Sequence, residues 1–214
     1  MPREAAERAV ESGADLVARM KERGYRMIAT GEMGIGNTTA ATAVSCALLG
    51  RAPRELTGRG AGLSDAGLLR KISAIERALE GNRPDANDPM DVLSKVGGYE
   101  IAGMAGAFLG GMEQGVPIVI DGAISAAAAL LAARICPAAR DFMLPSHASR
   151  EPMARALLEA LDLRPPIHAD MALGEGTGAV MVFPLLDMAL RVYAGEHTFG
   201  NLGMEAYEPQ EGKP

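Results

Sequence analysis

Tryptophan is absent from the 214 residues, and aromatic residues make up 4% of them. Base stacking needs aromatic platforms, so their scarcity argues against single-stranded nucleic acid as a ligand. Positive charge is short as well: 21 lysines and arginines stand against 27 aspartates and glutamates, a net charge of −6. No basic block follows a phosphate backbone, so no nucleic-acid partner is expected. Cysteine is limited to Cys46 and Cys136, each isolated in apolar surroundings. That spacing excludes a disulfide framework or thiolate metal site and points to buried free thiols in a reducing compartment. His147, His168 and His197 form no ligand pattern with a neighbouring Cys or Asp, so no metal is expected and no chemistry falls to them. Nucleophile elbows and redox pairs are missing too. Apolar segments are broken before the roughly 20 residues of a membrane span. The opening Met1-Pro2-Arg3-Glu4-Ala5-Ala6-Glu7 is charged, unlike a signal peptide. The expectation is a soluble, cytoplasmic chain with no membrane partner.

What is present is ordinary globular material, 48% hydrophobic and 22% charged, enough for one domain over residues 1–194 with a polar tail over 195–214. Its organising stretch is Gly31-Glu32-Met33-Gly34-Ile35-Gly36-Asn37-Thr38-Thr39. A short apolar run, Met27-Ile28-Ala29, precedes it and an Ala-rich segment, Ala40 to Leu49, follows. A strand that turns through glycines into a helix is a phosphate-binding arrangement. The glycines allow close backbone approach, and the helix start offers N–H groups and a positive dipole end. Two generic templates fail here. Asn37 stands where a nucleotide-hydrolase loop needs lysine, and Thr39 where a dinucleotide fingerprint needs its third glycine. Glu32 at the turn's mouth is repelled by a phosphate and is expected to face another part of a ligand.

The chain alternates between helix and strand signals. Residues 2–23 read as an amphipathic helix with Ala6, Val10, Leu16, Val17 and Met20 on one face, stopped by Gly24. A strand over Tyr25–Thr30 feeds the glycine turn, and a helix over Thr38–Leu49 leaves it. A second glycine loop, Leu56–Gly62, precedes a helix capped by Ser64 with Asp65 in its first turn, running to about Leu79. Two helices follow, divided at Gly97-Gly98; Gly103, Gly106 and Gly110 on the second mark tight packing against a neighbour. Strands are expected at Pro117–Ile120, Phe142–Leu144 and Met171–Leu173, with helices from Gly122 to Ile135, Glu151 to Leu161 and Ala179 to Val192. The last follows a third glycine turn, Gly174-Glu175-Gly176-Thr177-Gly178. Such alternation predicts an α/β fold: a doubly wound, mostly parallel sheet with helices on both faces, Rossmann-like and three-layered. Ligands of such sheets sit beyond the carboxyl ends of the strands, where the first and third glycine turns, Asp121-Gly122 and the Ser149 loop can converge.

The nine-residue glycine stretch closely resembles the signature of the nicotinate-nucleotide:dimethylbenzimidazole phosphoribosyltransferase family, which builds the lower-ligand nucleotide of cobalamin. Further segments match in order. Leu173-Gly174-Glu175-Gly176-Thr177-Gly178-Ala179 is similar to the family segment whose glutamate is the general base. The run Gly58 to Lys71 is similar to a block whose lysine contacts the nucleotide phosphate. Ser149 with Glu151-Pro152 resembles the segment whose serine is a phosphate ligand, and Asp121-Gly122 the step that lines the ribose pocket. The resemblance therefore implies Glu175 and Glu32 as catalytic carboxylates. It implies substrate contacts from Met33, Gly34, Gly36, Asn37, Lys71, Asp121, Gly122, Ser149, Leu173, Gly174 and Gly176. Ala61 and the pair Met153-Ala154 depart from the threonine and Gly-His expected in relatives.

The implied reaction is attack by a benzimidazole nitrogen on the anomeric carbon of nicotinate mononucleotide, with inversion and loss of nicotinate. No cofactor is implied. The partners implied are these small molecules and a second copy in a homodimer. Family members are longer, with a segment before the first helix here that contributes to the benzimidazole pocket. A companion chain supplying that segment, or a non-catalytic nucleotide-binding subunit, is the rival expectation.

Overall fold

The computed structural model describes residues 1–195, 198–205 and 208. His197 lies outside them, as does part of the polar tail. The chain divides into two compact units, Met1–Val182 and Phe183–Pro214.

In the first unit the strands are short and the helices long. Helix α1 spans Arg3–Glu22, strand β1 Ile28–Ala29, helix α2 Thr38–Leu49 and the single turn α3 Pro53–Leu56. Then come α4 (Asp65–Asn82), α5 (Pro89–Val96) and α6 (Tyr99–Gln114). Strand β2 (Ile118–Ile120) leads to α7 (Ala123–Ile135), a 3-10 turn, β3 (Met143–Pro145) and α8 (Pro152–Ala160). Helix α9 (Thr177–Tyr193) begins in this unit and continues into the second. All pairing is parallel, in the order β1-β2-β3, with Ile28 opposite Ile118 and Val119 opposite Leu144. The α/β fold with a parallel sheet is as expected.

Three local readings need correction. Met171–Leu173 is not a strand; Met171 accepts a hydrogen bond from the N–H of Arg150 at 3.1 Å, and Leu173 is exposed, so the segment has neither ladder nor burial. The first strand is only Ile28–Ala29; the N–H groups of Ile28 and Thr30 donate to the carbonyls of Pro117, just before β2, and Val119 within it. Leu16 is exposed, and α1 buries Ala6, Gly13 and Val17 instead. The reason is backbone proximity between α1 and α6. A Cβ on Gly106 would overlap the Val10 carbonyl, one on Gly13 the Gly103 carbonyl, and one on Gly110 would lie 2.7 Å from the Ala14 Cα. The glycine stripe of α6 is thus covered by α1 of the same chain, a contact that leaves no room for large side chains.

The core centres on α7, which packs against α6, α2 and α8. Its alanines from Ala126 to Ala129 are all buried, as a helix surrounded on every side requires. Helix α2 ends at Gly50, whose left-handed φ of 64° suits a residue without a side chain. Ser64 caps α4 as expected, its side chain accepting from the N–H of Gly67 at 3.2 Å. No helix among the described residues is long and apolar enough to cross a membrane.

Candidate active site

Beyond the carboxyl ends of the three strands lies a cleft of about 130 Å³, open to solvent. The end of β1 delivers Glu32, Met33 and Gly34 to it, and the end of β2 delivers Asp121 and Gly122. The loop after β3 supplies His147 and Ser149, and the third glycine turn supplies Leu173 and Gly174. Eight of the expected residues therefore share one cavity. Gly36 and Lys71 line an adjoining depression that shares Gly34, Thr38, Gly60 and Ala61 with the first. Asn37, Glu175 and Gly176 do not line either one.

The first and third glycine turns meet through backbone. The N–H of Glu175 donates to the carbonyl oxygen of Glu32 at 2.8 Å. Gly31 lies so close that a Cβ would stand 2.7 Å from the Gly176 nitrogen. Glu175 has φ of 57°, a left-handed conformation that costs a residue with a side chain roughly 1–2 kcal/mol. Its neighbours Gly174 and Gly176, at 77° and 81°, adopt the same region freely. Glu175 itself is exposed.

Asp121 is buried at the end of β2, and its carboxylate is engaged by protein. One oxygen accepts from the N–H of Gly176 at 3.1 Å, the other from Ala179 at 3.0 Å. The residue lines the cleft as expected, but its charge faces the start of α9, where a helix dipole favours an anion.

Glu32 is half-buried, and its carboxylate accepts the N–H of Gly34 at 2.6 Å. That N–H is one of the donors a phosphate in the first turn would use. A phosphate there must displace the carboxylate or bind beside it. Asn37 precedes α2 without capping it, and its Oδ1 is buried with no hydrogen-bond partner among the described residues.

Lys71 is only 7% exposed. Its Nζ donates to Thr38 Oγ1 at 2.8 Å and to the Gly58 carbonyl at 3.1 Å. Burial pushes the amine below its ordinary pKa, and the negative charge of Glu151 works in the opposite direction. The Glu151 carboxylate is packed on Gly58, where a Cβ would overlap it. Ser149 Oγ accepts the Glu151 N–H at 3.4 Å, at the start of the α8 loop.

The residue that sequence reasoning passed over is His147. Its ring is buried, pairs through Nδ1 with Ser146 Oγ at 2.9 Å, and packs against Gly178, where any Cβ would collide with it. Burial lowers the imidazole pKa; the charge of Asp121 partly opposes this. The available signal was its place directly after a strand end. Thr30 was missed as well: its hydroxyl donates to the Val119 carbonyl at 2.8 Å and also meets Ser125 Oγ, joining β1, β2 and α7 beneath the cleft. No cluster of three or more His, Cys, Asp or Glu among the described residues is arranged to hold a metal ion.

A family model described as Phosphoribosyltransferase matches residues 1–203. The nicotinate-nucleotide--dimethylbenzimidazole phosphoribosyltransferase of Acetivibrio thermocellus is 48% identical over 210 residues, covering 98% of this chain and 60% of that protein. The protein of the same name from Ruminiclostridium cellulolyticum is 46% identical over 211 residues, again 60% of its length. Among solved structures, CobT from Thermus thermophilus matches with a TM-score of 0.90 at 46% identity, over 96% of this chain and 61% of that one. The chain spans about 60% of the length of the curated relatives it matches.

Proposed function

The chain belongs to the phosphoribosyltransferase family whose model spans residues 1–203, and on that premise we propose that it transfers phosphoribose from nicotinate mononucleotide to dimethylbenzimidazole. One observation carries the reading: the turns bearing Glu32 and Glu175 are tied together at a cleft that also gathers Asp121 and Ser149 from the strand ends. The names of the relatives add the substrates.

The chemistry assigns work to this geometry. A benzimidazole nitrogen attacks the anomeric carbon while the bond from that carbon to nicotinate breaks. Nicotinate leaves with the bonding pair, so its ring nitrogen loses its positive charge and needs no protonation. The second benzimidazole nitrogen gives up its proton, and a carboxylate within hydrogen-bond reach must take it. Glu175 is the proposed base, and Glu32 orients the incoming ring. Met33, Ile35 and Leu173 line the cleft with exposed apolar side chains, at 62%, 75% and 67%, a surface suited to a flat apolar ring. Ser149, Gly34 and Gly36 position the phosphate, with Lys71 as its positive charge; the gain is alignment of the sugar for in-line attack. Gly122 and Gly174 contribute backbone to the same pocket, Gly176 follows the base in the third glycine turn, and Asn37 stands at the start of α2.

The proposal extends to small-molecule partners only, a cytoplasmic setting and a homodimer. The α6 glycine stripe does not support the dimer, since α1 occupies it. Sedimentation at micromolar concentration decides the dimer. The reaction is tested by mixing chain, nicotinate mononucleotide and dimethylbenzimidazole and following the anomeric proton by NMR. Inversion predicts an α-linked ribazole phosphate with one nicotinate released per product. A β-linked product, or nucleotide left intact, contradicts the assignment.

A further inference from the structure

We propose that Asp121 is a positioning residue for the reaction: its buried carboxylate locks the turn that carries Glu175 to the end of β2. The inference rests on the reading of Glu175 as the base. It differs from a ribose-contact role for Asp121, because the carboxylate would act through Glu175 and not on the sugar.

Residues 174–176 are three consecutive positions in the left-handed region, one of them a glutamate. A chain does not hold that conformation by local preference; surrounding contacts must impose it. Besides the bonds from the Thr177 N–H and hydroxyl to the Gly174 carbonyl within the turn, two contacts reach it from distant parts of the chain. Glu32 accepts the N–H of Glu175, but Glu32 belongs to a glycine turn that is itself irregular. Asp121 is different. It follows Ile120, the last residue of the fully buried central strand, and is itself only 3% exposed. Its two oxygens take the N–H of Gly176, directly after Glu175, and of Ala179, in the first turn of α9. Charge-assisted hydrogen bonds to two points flanking the base's turn fix its height and rotation relative to the sheet. Removing them leaves the Ala179 N–H buried without an acceptor, so the turn must move to find water.

Amide hydrogen exchange by NMR on the 214-residue chain reads the lock without requiring turnover. In Asp121→Asn one oxygen becomes an NH₂ that cannot accept. Exchange at Gly176 or Ala179 should quicken by about tenfold or more, while α7 amides keep their parent rates. Parent rates at both positions overturn the proposal. If Asp121→Asn also exposes α7, Asp121→Ser, which removes the misplaced amide, is judged by the same two amides. The kinetic arm is a double-mutant cycle. Combined with Glu175→Gln, Asp121→Asn should lower kcat no further than Glu175→Gln alone, with KM for nicotinate mononucleotide near the parent value. Multiplied losses, or a loss confined to KM, also overturn it. A Glu175→Gln variant with parent turnover removes instead the base assignment, and the exchange rates still decide whether Asp121 is the lock.

Discussion

The main-chain N–H of Glu175 donates to the main-chain carbonyl of Glu32 at 2.8 Å, so the two proposed catalytic carboxylates are set by one backbone junction. Their separation is then a property of how closely the two turns approach, and Gly31 governs that approach.

Gly31→Ala should separate the turns. The added methyl would meet only backbone, the Gly176 nitrogen at 2.7 Å and Cα at 2.9 Å, and backbone cannot swing aside as a long side chain can. Overpacking of this kind costs about 1–3 kcal/mol. Urea denaturation should register that loss, and turnover should fall with it. A variant with parent stability would mean that the turns part without cost.

Lys71→Ala should weaken binding of nicotinate mononucleotide by about 1.5–3 kcal/mol, the range for a hydrogen bond to a charged group. The amine is presented at the cleft's annex by Thr38 and Gly58, and Glu151 is the negative charge it senses. Titration calorimetry checks this directly. Unchanged affinity removes Lys71 from the phosphate site.

His147 should make stability depend on pH in one window. Burial holds its pKa below the ordinary 6.5, while the unfolded chain binds the proton near that value. Between the unfolded and folded values the unfolded state carries more protons, so stability is full above 6.5 and declines as pH falls below it. The lowered pKa values of Asp88, Asp91 and Glu55 act in a separate, more acidic window, below the ordinary carboxylate range. Urea midpoints at about pH 7.5 and about pH 5.5 should therefore differ in the parent and converge in His147→Gln. Equal differences in both proteins would assign the effect elsewhere.

Much of the fold was legible because local signals and tertiary context agree. Ser64 before Asp65 marks a cap and is one, and the Ala-rich segment after Thr38 is a helix to Leu49. Met171–Leu173 misled because three apolar residues before a glycine turn look alike whether a strand or an exposed loop carries them. Strand pairing depends on partners elsewhere in the chain, which periodicity does not encode. The site divides in the same way. Its glycine turns are visible as sequence, since a left-handed backbone selects glycine. Asp121 also looked like a ligand residue because it ends a strand; that its oxygens bind Gly176 and Ala179 depends on a contact 55 and 58 residues away. His147 carries no motif; the loop after β3 brings it to the cleft, where its ring packs on Gly178.

The most direct measurement is the rate of nicotinate release from nicotinate mononucleotide and dimethylbenzimidazole by the parent chain and by Glu175→Gln, with nucleotide affinity measured alongside. Glutamine keeps the size of the side chain but cannot take a proton at neutral pH. The parent should release nicotinate measurably and the variant about 10²–10⁴-fold more slowly, the usual contribution of a general base, with nearly unchanged nucleotide affinity. Equal rates in the two proteins, or tight nucleotide binding with no release by the parent, would contradict this expectation.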